Sequence, residues 1–246
     1  EKAAKAAVPA RMYRNIRSKV NVIRYADDFI ITGATREILQ ETVKPAVQAF
    51  LFERGLTLSE EKTRITRIED GFDFLGQNCR KYGGKLLIKP SKSNVRAFLK
   101  NITGTIRKGG AMSAAALIGA LNPKIRGWAN YHRHIVAGRV FGKMDNCIYK
   151  QLWRWMIRRH PRKRKSRLVR KYWTGGNPWR FSAVGKKKDG SVRKYQLIRA
   201  HSIGIERHVK IRGDANPFDL KYQDYFRKRK QKRTKKRFKM AYGTIA

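Results

Sequence analysis

The chain has 246 residues, with 59 Lys and Arg against 17 Asp and Glu, and a formal net charge of +42. A compact protein with that field repels itself, so a polyanion is the expected counter-charge; nucleic acid leads, and an ordinary metabolic enzyme is excluded. The length and an apolar content of 41% allow one large domain or two small ones with a real core, which excludes a disordered tail. Cys79 and Cys147 stand alone, so neither a disulfide framework nor a Cys-x-x-Cys metal site is present, and a reducing compartment is the default. No apolar run reaches the roughly 18 residues of a membrane span, and Glu1-Lys2-Ala3-Ala4-Lys5 lacks the apolar centre of a signal peptide. Beginning at Glu1 rather than Met, the sequence reads as a processed, excised or partial product.

Charge is unevenly distributed. Residues 1–79 carry 13 basic and 11 acidic side chains, whereas residues 80–246 carry 46 and 6. A near-neutral folded unit is therefore expected in front, with the remainder built to lie along phosphate. Residues 20–32 read as two β-branched strands around a turn at Ala26-Asp27-Asp28. From Arg36 to Arg54 the apolar positions recur at helical spacing, with Pro45 expected to kink the helix or mark a restart and Gly55 to stop it. Short strands are predicted at Leu56–Leu58, Gly71–Gln77 and Lys85–Ile88, the last two joined at Gly83-Gly84.

Beyond Pro90 helices take over: Asn94–Arg107, Ala114–Leu121, Pro123–Val136 and Gly142–Arg159. His160–Lys171 reads as a charge run, and Trp179–Val184 with Val192–Ile198 as a hairpin around Asp189-Gly190. Residues 227–239 hold ten Lys or Arg in thirteen positions and are expected to order only on a partner. The fold class is α+β, a sheet with helices on one face followed by a basic helical domain.

Two adjacent carboxylates, Asp27 and Asp28, sit at the tip of an apolar hairpin in a protein otherwise poor in acid. On the dipeptide alone an exposed turn is the commoner outcome. The alternative is a magnesium site, because paired hard oxygens suit that ion and a phosphate completes its shell.

The surrounding residues favour the alternative. Arg24-Tyr25-Ala26-Asp27-Asp28-Phe29 resembles the active-site box of reverse transcriptases, in the form found in group II intron-encoded proteins. Leu58-Ser59-Glu60-Glu61-Lys62-Thr63, Gly71-Phe72-Asp73-Phe74-Leu75-Gly76 and Ile88-Lys89-Pro90-Ser91-Lys92 resemble successive blocks of the same palm. Gly127-Trp128-Ala129-Asn130-Tyr131-His132 is similar to the thumb, or maturase, region, and residues 207–218 to a block near the family's end. The resemblance runs in order through about residues 20–226.

It implies the terminal part of a polymerase palm sheet over residues 20–92, after an extension at 1–19. A helical thumb/maturase domain at 93–160, a basic hairpin-containing region at 161–226 and a basic tail at 227–246 would follow. It makes Asp27 and Asp28 the catalytic metal carboxylates, places Tyr25 and Lys62 near the nucleotide, and sets Phe74, Leu75 and Gly76 at the primer end. Lys62 reads equally well as a surface lysine, and Phe74 and Leu75 belong to the core on either account. The family's first catalytic Asp has no counterpart, since Glu1–Lys19 contains no Asp. Magnesium is thus implied only for the complete enzyme, with another chain or segment supplying the N-terminal half, and the chain alone is not expected to polymerise.

Residues 123–160 interleave cations and rings, the pattern of a surface that neutralises phosphates and stacks unpaired bases. The candidate RNA contacts begin with Lys89, Lys92, Lys124, Arg126, Trp128, Tyr131, His132, Arg133 and His134. They continue with Arg154, Arg158, Arg159, Arg162, Lys163, Arg164 and Lys165, then Lys210, Arg212, Arg227, Lys228, Arg229 and Lys230. Of Trp153 and Trp155, two apart on a helix, one is expected buried and one not. His132 and His134 diverge on a helix and lack a third ligand, so zinc is rejected there. Asp214 is assigned a turn.

The implied function is that of the C-terminal portion of a group II intron reverse transcriptase/maturase, stabilising folded intron RNA for splicing. Joined to its N-terminal half it would carry out magnesium-dependent DNA synthesis on RNA. The alternative is a non-catalytic, maturase-derived component of a large ribonucleoprotein such as a ribosome. Structured RNA is the expected partner, with target DNA a further one and no membrane. Bacterial cytoplasm or an organelle is the expected compartment, the cytoplasm preferred.

Overall fold

The computed structural model describes residues 19–173, 180–186, 190–213 and 215–231. The expected extension up to residue 18, Trp179, Asp189, Asp214 and the tail beyond residue 231 lie outside the described residues. The chain is mixed α+β with small antiparallel sheets. It divides into two compact units, residues 1–110 with 150–155, and residues 111–149 with 156–246.

In the first unit β1 (Asn21–Tyr25) and β2 (Asp28–Thr32) form a hairpin in which Val22 faces Ile31 and Tyr25 faces Asp28. Side chains alternate across the pleat, so Val22 and Ile31 share the face that packs on buried Ile38 and Val43. Ile23 and Tyr25 take the opposite face and stay 55% and 64% exposed. The helix expected from Arg36 resolves into a π-helical turn, Ile38–Val43, followed by α1 (Lys44–Phe52). Helical backbone runs unbroken from Arg36 to Phe52, and Pro45 follows directly on the π-helical turn, whose last bond is Lys44 N to Leu39 O, so the proline coincides with a local change of helical winding and not with a restart. The end of α1 is closed by Leu56 N donating to Leu51 O at 3.0 Å, with Gly55 at φ 67°.

Two expected strands differ. Leu56–Leu58 stays irregular, since it gains no partner strand and Leu56 remains exposed. Gly71–Gln77 is cut by a two-residue turn into β3 (Phe72–Phe74) and β4 (Gln77–Tyr82). Leu75 and Gly76 both adopt positive φ, 49° and 72°, the geometry that a two-residue hairpin loop needs. β5 (Lys85–Pro90) pairs with β4 across the expected Gly83-Gly84 turn. α2 (Lys92–Lys108) starts at Ser91, whose hydroxyl accepts from Asn94 N at 3.2 Å, and buries Ile102 and Ile106. Trp155 is buried in this unit and donates from Nε1 to Gly109 O at 2.9 Å.

In the second unit α3 (Ala114–His132) is one helix where two were expected, with Pro123 inside it. A proline there costs about 3 kcal/mol. The stripe Leu117, Ile118, Leu121, Ile125 and Ala129 is continuous across it and wholly buried, and that packing outweighs the loss. α4 (Gly138–Arg159) buries Phe141, Met144 and Ile148 at helical spacing within this unit. The expected charge run contains α5 (Lys165–Tyr172), which turns Leu168 and Tyr172 inward and leaves its cations outside. Tyr172 and Trp173 meet Phe181 at ring separations of 5.5 and 4.9 Å.

β6 (Ser182–Lys186) and β7 (Val192–Gln196) form the expected second hairpin. Two helix side chains hold the strand that leaves it. The Asn122 amide donates to Gln196 O at 2.9 Å and accepts from Ile198 N at 2.8 Å. The Asp145 carboxylate accepts from Ala200 N at 2.8 Å and His201 N at 3.0 Å. Residues 223–231 are helical. The first five residues of the expected unstructured tail are therefore folded, because Arg229 donates to the carbonyls of Val209 and Lys210.

Candidate nucleic-acid interface

In the first unit the acidic pair lies at the tip of the β1–β2 hairpin. Asp28 opens β2 opposite Tyr25, so only Ala26 and Asp27 form the loop, and Ala26 is left-handed at φ 53°. Asp27, Asp28 and Tyr25 are all exposed. Two adjacent carboxylates suit a hard divalent cation. Among the described residues, however, no three His, Cys, Asp or Glu side chains gather to hold a metal, so this pair alone does not make a magnesium cage.

The other positions expected near the nucleotide and primer are scattered over the same unit. Lys62 is exposed, in a turn closed by Thr63 N donating to Ser59 O at 2.9 Å. Phe74, Leu75 and Gly76 are half-buried at the β3–β4 turn. Gly76 suits this turn by its positive φ of 72°, and a Cβ there would lie 2.7 Å from Asn94 Nδ2 and push that amide aside. Lys89 is half-buried with Nζ 4.3 Å from the Tyr82 ring centre, and Lys92 is exposed in the first turn of α2. Arg154 is exposed on α4, while Trp155 is buried and Trp153 half-buried.

In the second unit Lys124, Arg126 and His134 are exposed, Tyr131 is 48% exposed and Trp128 is half-buried. His132 is a correction: it is fully buried and offers RNA no contact. It follows Ile125 and Ala129 on the inward stripe of α3, and its ring lies 4.3 Å from that of Trp128 and 4.8 Å from that of Tyr131. Burial, with a smaller push from His134, lowers its pKa to about 4 and keeps the ring neutral. Arg133 is also turned to the protein, its guanidinium 3.2 Å from Glu206 and donating to Gly204 O at 3.1 Å.

Arg158, Arg159, Arg162, Lys163, Arg164 and Lys165 are exposed. Arg167, Arg170 and Lys171, not singled out from the sequence, are exposed on α5 and extend the same basic segment. The i, i+4 pair Leu168 and Tyr172 was the signal that this run folds as a helix with an outward cationic face. His160 bonds the Tyr172 hydroxyl at 2.8 Å, and its pKa is lowered by burial and by Lys171, Lys163 and Arg159. Lys210, Arg212, Lys228 and Lys230 are exposed, Arg227 pairs with Asp224 at 2.7 Å, and Arg229 is half-buried in its carbonyl contacts.

Two family models match the chain. Residues 7–79 match the reverse transcriptase (RNA-dependent DNA polymerase) family, and residues 95–173 match the group II intron maturase-specific domain. The chain belongs to the group II intron reverse transcriptase/maturase family. No curated protein matches the chain. The reverse transcriptase match ends at Cys79 in β4, and the maturase-specific match takes in most of α2, all of α3 to α5, and the exposed basic segment. The maturase-specific domain points to RNA as the partner. No helix among the described residues is long and apolar enough to cross a membrane.

Proposed function

We propose that this group II intron reverse transcriptase/maturase chain binds folded intron RNA and stabilises its splicing-competent fold. The observation that carries the reading is the row of exposed cations from Arg158 to Lys171, which falls within the maturase-specific match. A line of outward guanidinium and ammonium groups neutralises successive phosphates, while a half-exposed Tyr131 offers a face to an unpaired base. The remaining RNA-contact candidates that stay exposed, among them Lys92, Lys124, Arg126 and His134, extend this role. In the complete enzyme, joined to a segment carrying the first palm carboxylate, Asp27 and Asp28 would help hold magnesium for RNA-templated DNA synthesis.

Salt titration of intron RNA binding is the test. Each phosphate contact contributes roughly −0.7 to −0.9 to the log–log slope, so a steep fall in affinity is expected between about 50 and 200 mM salt. Affinity that is nearly independent of salt would refute the reading. A second reading is a non-catalytic component of a large ribonucleoprotein. It requires an Asp27→Ala, Asp28→Ala chain to assemble and function as wild type does.

A further inference from the structure

Phe218 has a ring that is 92% exposed, the highest value for any large apolar side chain among the described residues. The ring stands on a turn fixed by hydrogen bonds. Phe218 N donates to Asn216 Oδ1 at 3.0 Å, and Asp219 N to Asn216 O at 3.1 Å. Asp219 Oδ1 in turn accepts from Lys221 N at 2.9 Å, capping the 3-10 turn Leu220–Tyr222. Just upstream, Arg212 is anchored through its backbone N to the Tyr225 hydroxyl at 3.3 Å, with its guanidinium over that ring. The turn thus presents the ring to solvent, and Leu220 beside it is 79% exposed.

The charges along the segment that carries the ring say what fits it. The described carboxylates of this segment are all engaged: Glu206 with Arg133, Asp219 in its cap, and Asp224 with Arg227. Lys210, Arg212 and Lys221 are exposed. A bare ring on a segment with exposed cations three, six and eight positions away in the chain matches a base and its flanking phosphates, and only an unpaired base has a face free to stack.

We propose that Phe218 is a stacking platform for an unpaired base of single-stranded nucleic acid, with Lys210, Arg212 and Lys221 taking the adjacent phosphates. This rests on the reading of the chain as an RNA binder and assigns it a contact outside the maturase-specific match.

The experiment measures binding of the full chain to a short single-stranded RNA, the DNA strand of the same sequence and an RNA duplex of equal length. Phe218→Ala is expected to weaken single-strand binding roughly 10- to 100-fold, with duplex binding and the salt slope unchanged, and Phe218→Trp to restore it. A loss limited to RNA, or shared by DNA, supports the platform and identifies the strand it takes. Equal single-strand affinity of wild type and Phe218→Ala overturns this proposal and leaves the RNA-binding reading intact. Wild type that binds none of the three probes overturns both. Normal single-strand binding by Phe218→Ala together with lost self-association in sedimentation would assign the ring to a protein contact, and also overturns it.

Discussion

The β1–β2 hairpin and the segment from Arg158 to Lys171 both crowd like charges together, but in different geometries. The hairpin sets two carboxylates on adjacent residues at its tip, Asp27 in the two-residue turn and Asp28 at the start of β2. The basic segment spreads nine cations over fourteen positions, with α5 holding its part of them outward through Leu168 and Tyr172. Charge concentrated at a point calls for a compact counter-ion of high charge and serves chemistry at one atom. Charge drawn out in a line calls for an extended polyanion. The two should therefore fail differently under mutation, one abruptly and the other by degrees.

The largest effect is expected at the point charge. With a segment bearing the first palm carboxylate supplied, magnesium-dependent primer extension should fall to background in an Asp27→Ala, Asp28→Ala chain, while RNA affinity is unchanged. Extension at the wild-type rate would remove the hairpin from catalysis. The line charge should respond in proportion. Replacing Arg162, Lys163, Arg164 and Lys165 together by Ala should reduce the log–log salt slope of RNA binding by about 3, and each single replacement by under 1. A slope that does not change would place the RNA elsewhere.

Stability predictions test whether the cationic unit stands on the core described for it. His132 takes up a proton at about 4 when folded, below its ordinary 6.5, so the unfolded state binds more protons in between. The contribution is full above 6.5 and is lost as pH falls toward 4, amounting to about 3 kcal/mol. Denaturant titrations across that range should show the loss, and His132→Leu should remove this part of the pH dependence. Asp145→Ala leaves the N–H groups of Ala200 and His201 without their acceptor and should cost about 1–3 kcal/mol in a thermal or urea melt. A neutral result would mean that water replaces the carboxylate.

Much of this was legible in the sequence. The alternation through Val22 and Ile31 and the carboxylate turn predicted the hairpin, because strand period and turn chemistry are local properties. Pro123 misled because its cost is local, whereas the compensating stripe from Leu117 to Ala129 is tertiary. Leu75 hid a turn, since a left-handed backbone at a leucine is imposed by its neighbours and not by its own preference. The site was legible in kind and less so in detail. Ile125, Ala129 and His132 share helical spacing, a pattern that marks His132 as core. Nothing in the letters says that Arg133 turns to Glu206 or that Arg229 reaches back to Val209, because both contacts join distant positions in the chain.

The pegs formed by Asn122 and Asp145 have a mechanical consequence. The strand leaving β7 is pinned to α3 and α4 by one amide and one carboxylate within six residues, Gln196 to His201. Tension from a polynucleotide gripping the downstream arm would reach those helices through these two rivets, and pulling experiments should find the molecule yielding there first.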